Sequence, residues 1–342
     1  VDDPAPSITL ARPAQGADSP CRRSWRPQAG AGRADPRRVH RKGRPVYRAG
    51  GPLLGGQRGR GVRLHQSAGS GQRAGERAAV DHPRIYTNKP RTTGAGYKGM
   101  LHQPEPDKAP DMLAGIIAIR KMHIRAMAET GLTAADEMLY PENRSYLDDL
   151  LSYEAVGARS VENQQHRLTA SGMDIPVGMK NPTSGDLSVM LNAVIAAQSG
   201  HTFIYRGYEV ATSGNELAHV IPRGGVDKYG TSIPNYHYED LARLLDMYRK
   251  LELKNPAAVV DVNHSNSNKR FKEQIRIVSE VIHSRNHNPD LKRLDQGRDD
   301  RELPGGGQPA HRGASHLRPV HHRPLLGLED TERLLYRMAE MC

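Results

Sequence analysis

Between residues 83 and 294, short apolar runs alternate with amphipathic stretches of helical length, and this rhythm restricts the fold more tightly than any other feature of the chain. The runs fall at 155–159, 175–180, 202–205, 218–222 and 257–262, preceded by the β-branched Arg84-Ile85-Tyr86-Thr87. Helices are expected at 144–153, 186–198, 238–251 and 269–283. Another, within 109–131, sets Met112, Leu113, Ile116, Ile117, Ile119 and Met122 at helical spacing, with Gly131 as its natural stop. Strand–helix units of this length predict an α/β fold with a parallel sheet. A (β/α)8 barrel of the TIM type is the first choice, because polar residues recur just after the strands, at the face where barrel enzymes keep their chemistry.

Those strand-end positions are cationic: Arg84, Lys89, Arg91, Arg159, Lys180 and Arg223, with His264 after the last run. Any single lysine or arginine is more often plain surface charge. Six at one end of a sheet are harder to dismiss, since the helices balance their own charges with Asp and Glu. Arginine grips phosphate or carboxylate through paired N–H groups and lysine adds a point charge. The pattern predicts a small anionic, phosphorylated substrate. His264 follows an apolar strand beside Asn263 and Asn266, which raises a ligand or acid–base role above that of a satisfied core histidine. Gly94-Ala95-Gly96-Tyr97-Lys98-Gly99 has the spaced glycines of a dinucleotide loop, but Pro104, Pro106 and Pro110 separate it from the next helix. A substrate loop is the better reading.

The rest of the chain has another texture. Cys21 and Cys342 are the only cysteines among 342 residues, which excludes a disulfide framework and a Cys-rich zinc module. With no apolar run of membrane-helix length and no signal-peptide core, a cytoplasmic protein without membrane contact is expected. The net charge of +11 invites a nucleic-acid reading. Yet residues 1–80 hold 16 basic and 5 acidic residues, while 81–294 and 329–342 together hold 28 and 29. The excess therefore lies in an Arg-, Gly- and Pro-rich quarter with no apolar period. Gln57-Arg58-Gly59-Arg60-Gly61 resembles RGG-type segments, but only Tyr47 lies near it, so nucleic acid is a disfavoured partner. Residues 295–328 have a similar Gly-, Pro- and His-rich texture. The organisation read from sequence is an anomalous 1–80, a barrel body at 81–294, an anomalous 295–328 and a C-terminal helix at 329–342.

Several long motifs in the barrel body resemble class I DAHP synthase (3-deoxy-7-phosphoheptulonate synthase). They are Lys89-Pro90-Arg91-Thr92-Thr93, Gly157-Ala158-Arg159-Ser160, the run Glu162 to Arg167 and Pro176-Val177-Gly178-Met179-Lys180-Asn181. Arg223-Gly224-Gly225 and Asn263-His264-Ser265-Asn266-Ser267 complete the set, and the likeness resumes at Leu328 to Glu340. The resemblance implies a β/α barrel that joins phosphoenolpyruvate to erythrose 4-phosphate and releases phosphate, at the entry to the shikimate pathway. It implies that Arg84, Lys89, Arg159, Lys180 and Arg223 hold phosphoenolpyruvate, and that Lys89, Arg91 and Thr92 hold erythrose 4-phosphate. Lys89 and His264 become the catalytic candidates. An aromatic amino acid as effector and a homo-oligomeric assembly of the intact chain also follow from the family.

The resemblance further implies a divalent metal of the Mn, Fe, Co or Zn type, held by Cys, His, Glu and Asp. Of these only His264 is present. The family's cysteine belongs to a GPCS motif, its glutamate to a VMIES strand and its aspartate to SITDPC, and all three are missing from the two anomalous segments. Codons can be chosen, GC-rich ones among them, that restore all three when read one base later, each position then allowing a few residues. Residues 51–68 become GPCSADNEDAVCDYINRL, residues 295–304 become IKGVMIESYL, and 320–328 become SITDPCLGW. The sequence thus reads as a synthase with two out-of-frame segments. The chain as written is expected to lack the first and last family strands, leaving an incomplete barrel that folds poorly, binds no metal and lacks metal-dependent synthase activity.

Overall fold

The computed structural model describes residues 46–49, 79–82, 84–85, 87–88, 98–105 and 108–299, all within one compact unit that begins at Pro36. The first elements are strands β1 (Val46–Ala49) and β2 (Ala79–His82), helix α1 (Met112–Thr130) and strand β3 (Ala134–Glu137). A 3-10 turn at Pro141–Tyr146 leads to β4 (Leu151–Val156), α2 (Gln164–Ser171), β5 (Val177–Lys180) and α3 (Leu187–Gln198). A hairpin of β6 (Thr202–Tyr205) and β7 (Tyr208–Ala211) precedes β8 (His219–Ile221), and a smaller one pairs β9 (Gly225–Val226) with β10 (Ser232–Ile233). Helix α4 (Tyr238–Lys250), β11 (Ala258–Asp261), α5 (Glu273–His287), α6 (Pro289–Leu294) and β12 (Asp295–Asp299) follow.

Eight of these strands form one sheet in the order β2-β1-β12-β11-β8-β5-β4-β3, and every ladder in it is parallel. Two residues beyond β2, Arg84 bridges Ala135 of β3, and the Ile85 N–H donates to the Ala135 carbonyl at 3.1 Å. Among the described residues the sheet ends therefore meet at a single bridge and not along a ladder, which is a curled, incompletely closed β/α barrel.

The chain is expected to lack two strands, yet two segments of the anomalous regions lie side by side in the sheet between β2 and β11. These are Val46–Ala49 and Asp295–Asp299, with Tyr47 opposite Gly297 and Val259 opposite Gly297 on the other side. A parallel ladder is made by backbone groups, so a segment of unrelated sequence can fill a strand position. What is lost is the side-chain pattern: the strand opposite Ala258–Asp261 reads Asp-Gln-Gly-Arg-Asp.

Two layers of core follow from the alternation of side chains along each strand. Val156, Val177, Met179, Val220, Ala258 and Val260 pack outward against Met190, Leu191, Leu241 and Ile277 of the helices. Ala135, Tyr153, Ala155, Ile221 and Val259 form a smaller cluster of their own. Here the Tyr153 hydroxyl bonds His219 Nε2 at 2.8 Å, and a Cβ at Gly178 would lie 2.4 Å from that hydroxyl. Local signals set several boundaries. Asp111 caps α1 through the Ala114 N–H, Asp186 caps α3 through Ser188 and Val189 N–H groups, and Gly131 ends α1 at φ 71°.

The helix expected at 144–153 is not formed. A 3-10 turn ends at Tyr146, and Leu151–Val156 is strand β4, held on both sides by β3 and β5. Sheet pairing outweighs the helical spacing of Leu147, Leu150 and Leu151, which instead join a core with Ile85, Ile119 and Met122. The strand Ala134–Glu137 has no counterpart among the expected runs, because its Ala-Ala-Asp-Glu sequence carries no apolar signal. The run at 202–205 is a strand, but of the exposed hairpin and not of the barrel. Helix α5 starts four residues later than expected, at Glu273.

Candidate active site

All barrel strands being parallel, their C-terminal ends share one face, and the predicted residues at β5, β8 and β11 meet there. Lys180 closes β5 and is 3% exposed; Arg223, two residues past β8, is 7% exposed. Asp261 closes β11 at 1% exposure and organises the group. Its Oδ2 accepts from Lys180 Nζ at 2.8 Å and from His264 Nδ1 at 2.7 Å, while its Oδ1 accepts the Asn263 N–H at 2.9 Å. An ammonium buried this deeply keeps its charge only beside an anion, and Asp261 is that anion. Its bond to Nδ1 fixes the His264 tautomer, leaving Nε2 as the basic nitrogen. His264 adopts φ 43°, a left-handed turn that points the chain back from the end of β11.

At the opposite sheet end, consecutive residues of β3 clamp the segment that follows β2. Glu137 Oε2 accepts from an Arg84 guanidinium nitrogen at 2.5 Å, and Asp136 Oδ2 accepts from the Thr87 hydroxyl at 2.7 Å. Burial pushes the Asp136 carboxyl up to about 7, against the opposing pull of Arg84 and Thr87. Its cross-strand neighbour Glu154 is pushed up to about 8 by burial, with Arg144 Nε 3.3 Å away opposing the rise. Two carboxyls side by side in a dry site oppose each other's ionisation.

The sequence reading is met unevenly. Lys180, Arg223 and His264 are brought to one face, Arg84 is held near it by Glu137, and Arg159 is exposed on the turn after β4. Lys89, Arg91 and Thr92 lie outside the described residues, as do residues 94–97 of the glycine loop, most of 1–80 and 300–342. Sequence reasoning missed Glu137, Asp136 and the role of Asp261. It also missed Asn181, whose Oδ1 accepts the Arg223 N–H at 2.7 Å. A carboxylate ending a strand opposite a strand-end cation is the signal that points to Asp261 and Glu137.

A four-ligand metal does not fit the donors of the described residues. Among the described residues no three His, Cys, Asp or Glu side chains are grouped to hold one. The carboxylate nearest His264 already shares its oxygen with the Lys180 ammonium, so a dication there would face a cation across a single atom.

Comparison with known proteins places this geometry. The family model described as the DAHP synthetase I family matches residues 70–284. The Tyr-sensitive phospho-2-dehydro-3-deoxyheptonate aldolase of Escherichia coli (strain K12) is 40% identical over 204 residues, 58% of this chain and 55% of that protein. The Trp-sensitive aldolase of Shigella flexneri is 32% identical over 265 residues, 75% of this chain and 72% of the relative. The solved structure of phospho-2-dehydro-3-deoxyheptonate aldolase from Francisella tularensis SCHU S4 matches with a TM-score of 0.76 at 26% identity, covering 87% of this chain and 85% of that one. The chain thus spans 55% of the length of the Tyr-sensitive relative. No helix among the described residues is long and apolar enough to cross a membrane.

Proposed function

The chain belongs to the DAHP synthetase I family, and on that premise we propose that its site serves the condensation of phosphoenolpyruvate with erythrose 4-phosphate, the entry step of the shikimate pathway. The new bond joins the enol carbon of one substrate to the aldehyde carbon of the other, and phosphate is released. The observation that carries this reading is the convergence of buried Lys180 and Arg223 on one face of a parallel sheet, beside the Asp261–His264 pair. Two polyanions repel each other, so a dense, pre-oriented set of cations lowers the cost of bringing them together. In this assignment Arg84, Arg159, Lys180 and Arg223 hold phosphoenolpyruvate, Lys89 reaches both substrates, and Arg91 and Thr92 hold the sugar phosphate.

In the family a divalent metal, when bound, polarises the aldehyde. Among the described residues no cluster of donors joins His264 toward such an ion, which favours a second reading: the chain supplies the anion-binding half of the site without metal-dependent turnover. The out-of-frame proposal accounts for the difference, because restored segments would return the Cys, Glu and Asp ligands together. An aromatic amino acid effector is proposed from the Tyr-, Phe- and Trp-sensitive names of the relatives, and a homo-oligomer from the family.

Calorimetric titration with phosphoenolpyruvate, paired with a phosphate-release assay in Mn²⁺ or EDTA, tests both readings. Binding without turnover supports the second reading. Robust Mn²⁺-dependent turnover by protein of verified mass refutes it, and absence of binding refutes the substrate assignment.

A further inference from the structure

Three asparagines at the strand ends form one hydrogen-bonded knot, and its centre, Asn235, belongs to no barrel strand. Asn235 lies between β10 and α4. Its Nδ2 donates to Asn181 Oδ1 at 3.1 Å, and its Oδ1 accepts the Gly224 N–H at 2.7 Å. Its backbone N–H donates to Asn266 Oδ1 at 2.8 Å. The three partners follow three different strands, β5, β8 and β11, so a single residue is tied to the ends of three neighbours in the sheet.

Each partner passes the constraint on. Asn181 Oδ1 also accepts the Arg223 N–H at 2.7 Å, and its Nδ2 donates to the Gly224 and Pro182 carbonyls at 2.9 and 2.8 Å. Asn266 Nδ2 donates to the Asp261 carbonyl at 2.8 Å and to that of Pro222 at 3.2 Å. The peptide N–H groups of Arg223 and Gly224 are therefore both held by asparagine side chains. Gly224 sits at φ +70°, and a Cβ there would come within 2.8 Å of the Asn266 nitrogen, so the loops touch at backbone distance.

We propose that Asn235 is a positioning residue: by joining the ends of β5, β8 and β11 it holds the side chains of Lys180 and Arg223 at the separation that grips a phosphorylated carboxylate. This rests on the assignment of those two cations to phosphoenolpyruvate. Rigid placement matters here because displacing binding groups by about 1 Å can cost on the order of 100-fold in a pre-organised site. A purely structural role would look different, and the protein supplies its own comparison. Asn215, 3% exposed, does equivalent work at the other end of the barrel, donating to the Ile175 carbonyl at 3.0 Å and accepting the Leu217 N–H at 2.9 Å.

The experiment is calorimetric titration of the full-length chain with phosphoenolpyruvate, for wild type, Asn235→Ala and Asn215→Ala, alongside thermal melts and hydrogen exchange. Asn235→Ala is expected to weaken binding at least about tenfold and to speed exchange at the Arg223 and Gly224 N–H groups. Asn215→Ala is expected to lower the melting temperature while leaving affinity within about twofold. If the alanine variant does not fold, Asn235→Ser, which keeps a shorter polar side chain, takes its place with the same expectation. Unchanged affinity in the folded Asn235 variant overturns the positioning role alone. Equal loss in both asparagine variants overturns it too, since the effect is then general destabilisation. A wild-type chain that does not bind phosphoenolpyruvate overturns the substrate assignment and the positioning role together.

Discussion

Replacing Asp261 by alanine removes a carboxylate whose Oδ2 serves Lys180 Nζ at 2.8 Å and His264 Nδ1 at 2.7 Å and whose Oδ1 accepts the Asn263 N–H at 2.9 Å. Lys180 is 3% exposed and Asp261 1%, so water cannot replace the lost partner. Breaking a buried ion pair from one side typically costs about 3–5 kcal/mol, because the remaining charge stays desolvated and uncompensated. In a domain of this size that is roughly a 10 °C fall in Tm. The attraction itself is not the source of that loss, and a double variant separates the two. Lys180→Met with Asp261→Leu removes both charges and refills the space with apolar atoms, which is often near neutral. Urea unfolding of the wild type, Lys180→Met, Asp261→Leu and the double variant gives the coupling directly, provided the m-values agree. The expected outcome is a double variant more stable than Asp261→Ala alone. A loss below about 1 kcal/mol for Asp261→Ala, or strictly additive losses, would refute the argument that this pair is sealed from solvent.

Other outcomes are equally specific. Burial lowers the His219 and His123 imidazoles to about 4; the unfolded chain then binds more protons between about pH 4 and 6.5, so stability falls as pH drops through that window. Urea midpoints at pH 7 and 5 should show this, and His219→Gln should flatten the slope. Asp136 and Glu154 act in the other direction, since carboxyls raised to about 7 and 8 contribute stability at low pH that is lost as pH rises toward 8. Glu154→Gln should therefore raise the urea midpoint at pH 8 and leave it nearly unchanged at pH 4. Gly115→Ala should cost at least about 1–3 kcal/mol in chemical unfolding, because the added methyl would lie 1.7 Å from the Leu101 carbonyl oxygen, a backbone atom that cannot rotate aside. Sequencing the gene should yield codons that, read one base later over 51–68, 295–304 and 320–328, encode the family's GPCS, VMIES and SITDPC motifs; codons that do not would end the out-of-frame proposal.

What the sequence determined alone is local. The alternation of short runs and amphipathic stretches specified an α/β sheet, Gly131 ended α1, Asp186 began α3, and strand-end cations marked the face that would carry chemistry. Each signal arises from neighbours within a few residues, where spacing and capping act. Only the tertiary structure decided which cation faces which anion. Lys180 and Asp261 are 81 residues apart, Arg84 and Glu137 53 apart, and no periodicity links them. It likewise turned residues 151–153 from the end of an expected helix into the start of strand β4, since ladders on both sides satisfy more backbone than an isolated helix turn does. It gave the Asp-Gln-Gly-Arg-Asp segment a strand position that its side chains do not request, because ladder bonds are made by backbone alone. The charge of +11 was visible from the first reading, but only folding buries Lys180 and Arg223 at one face and pairs Lys180 with Asp261.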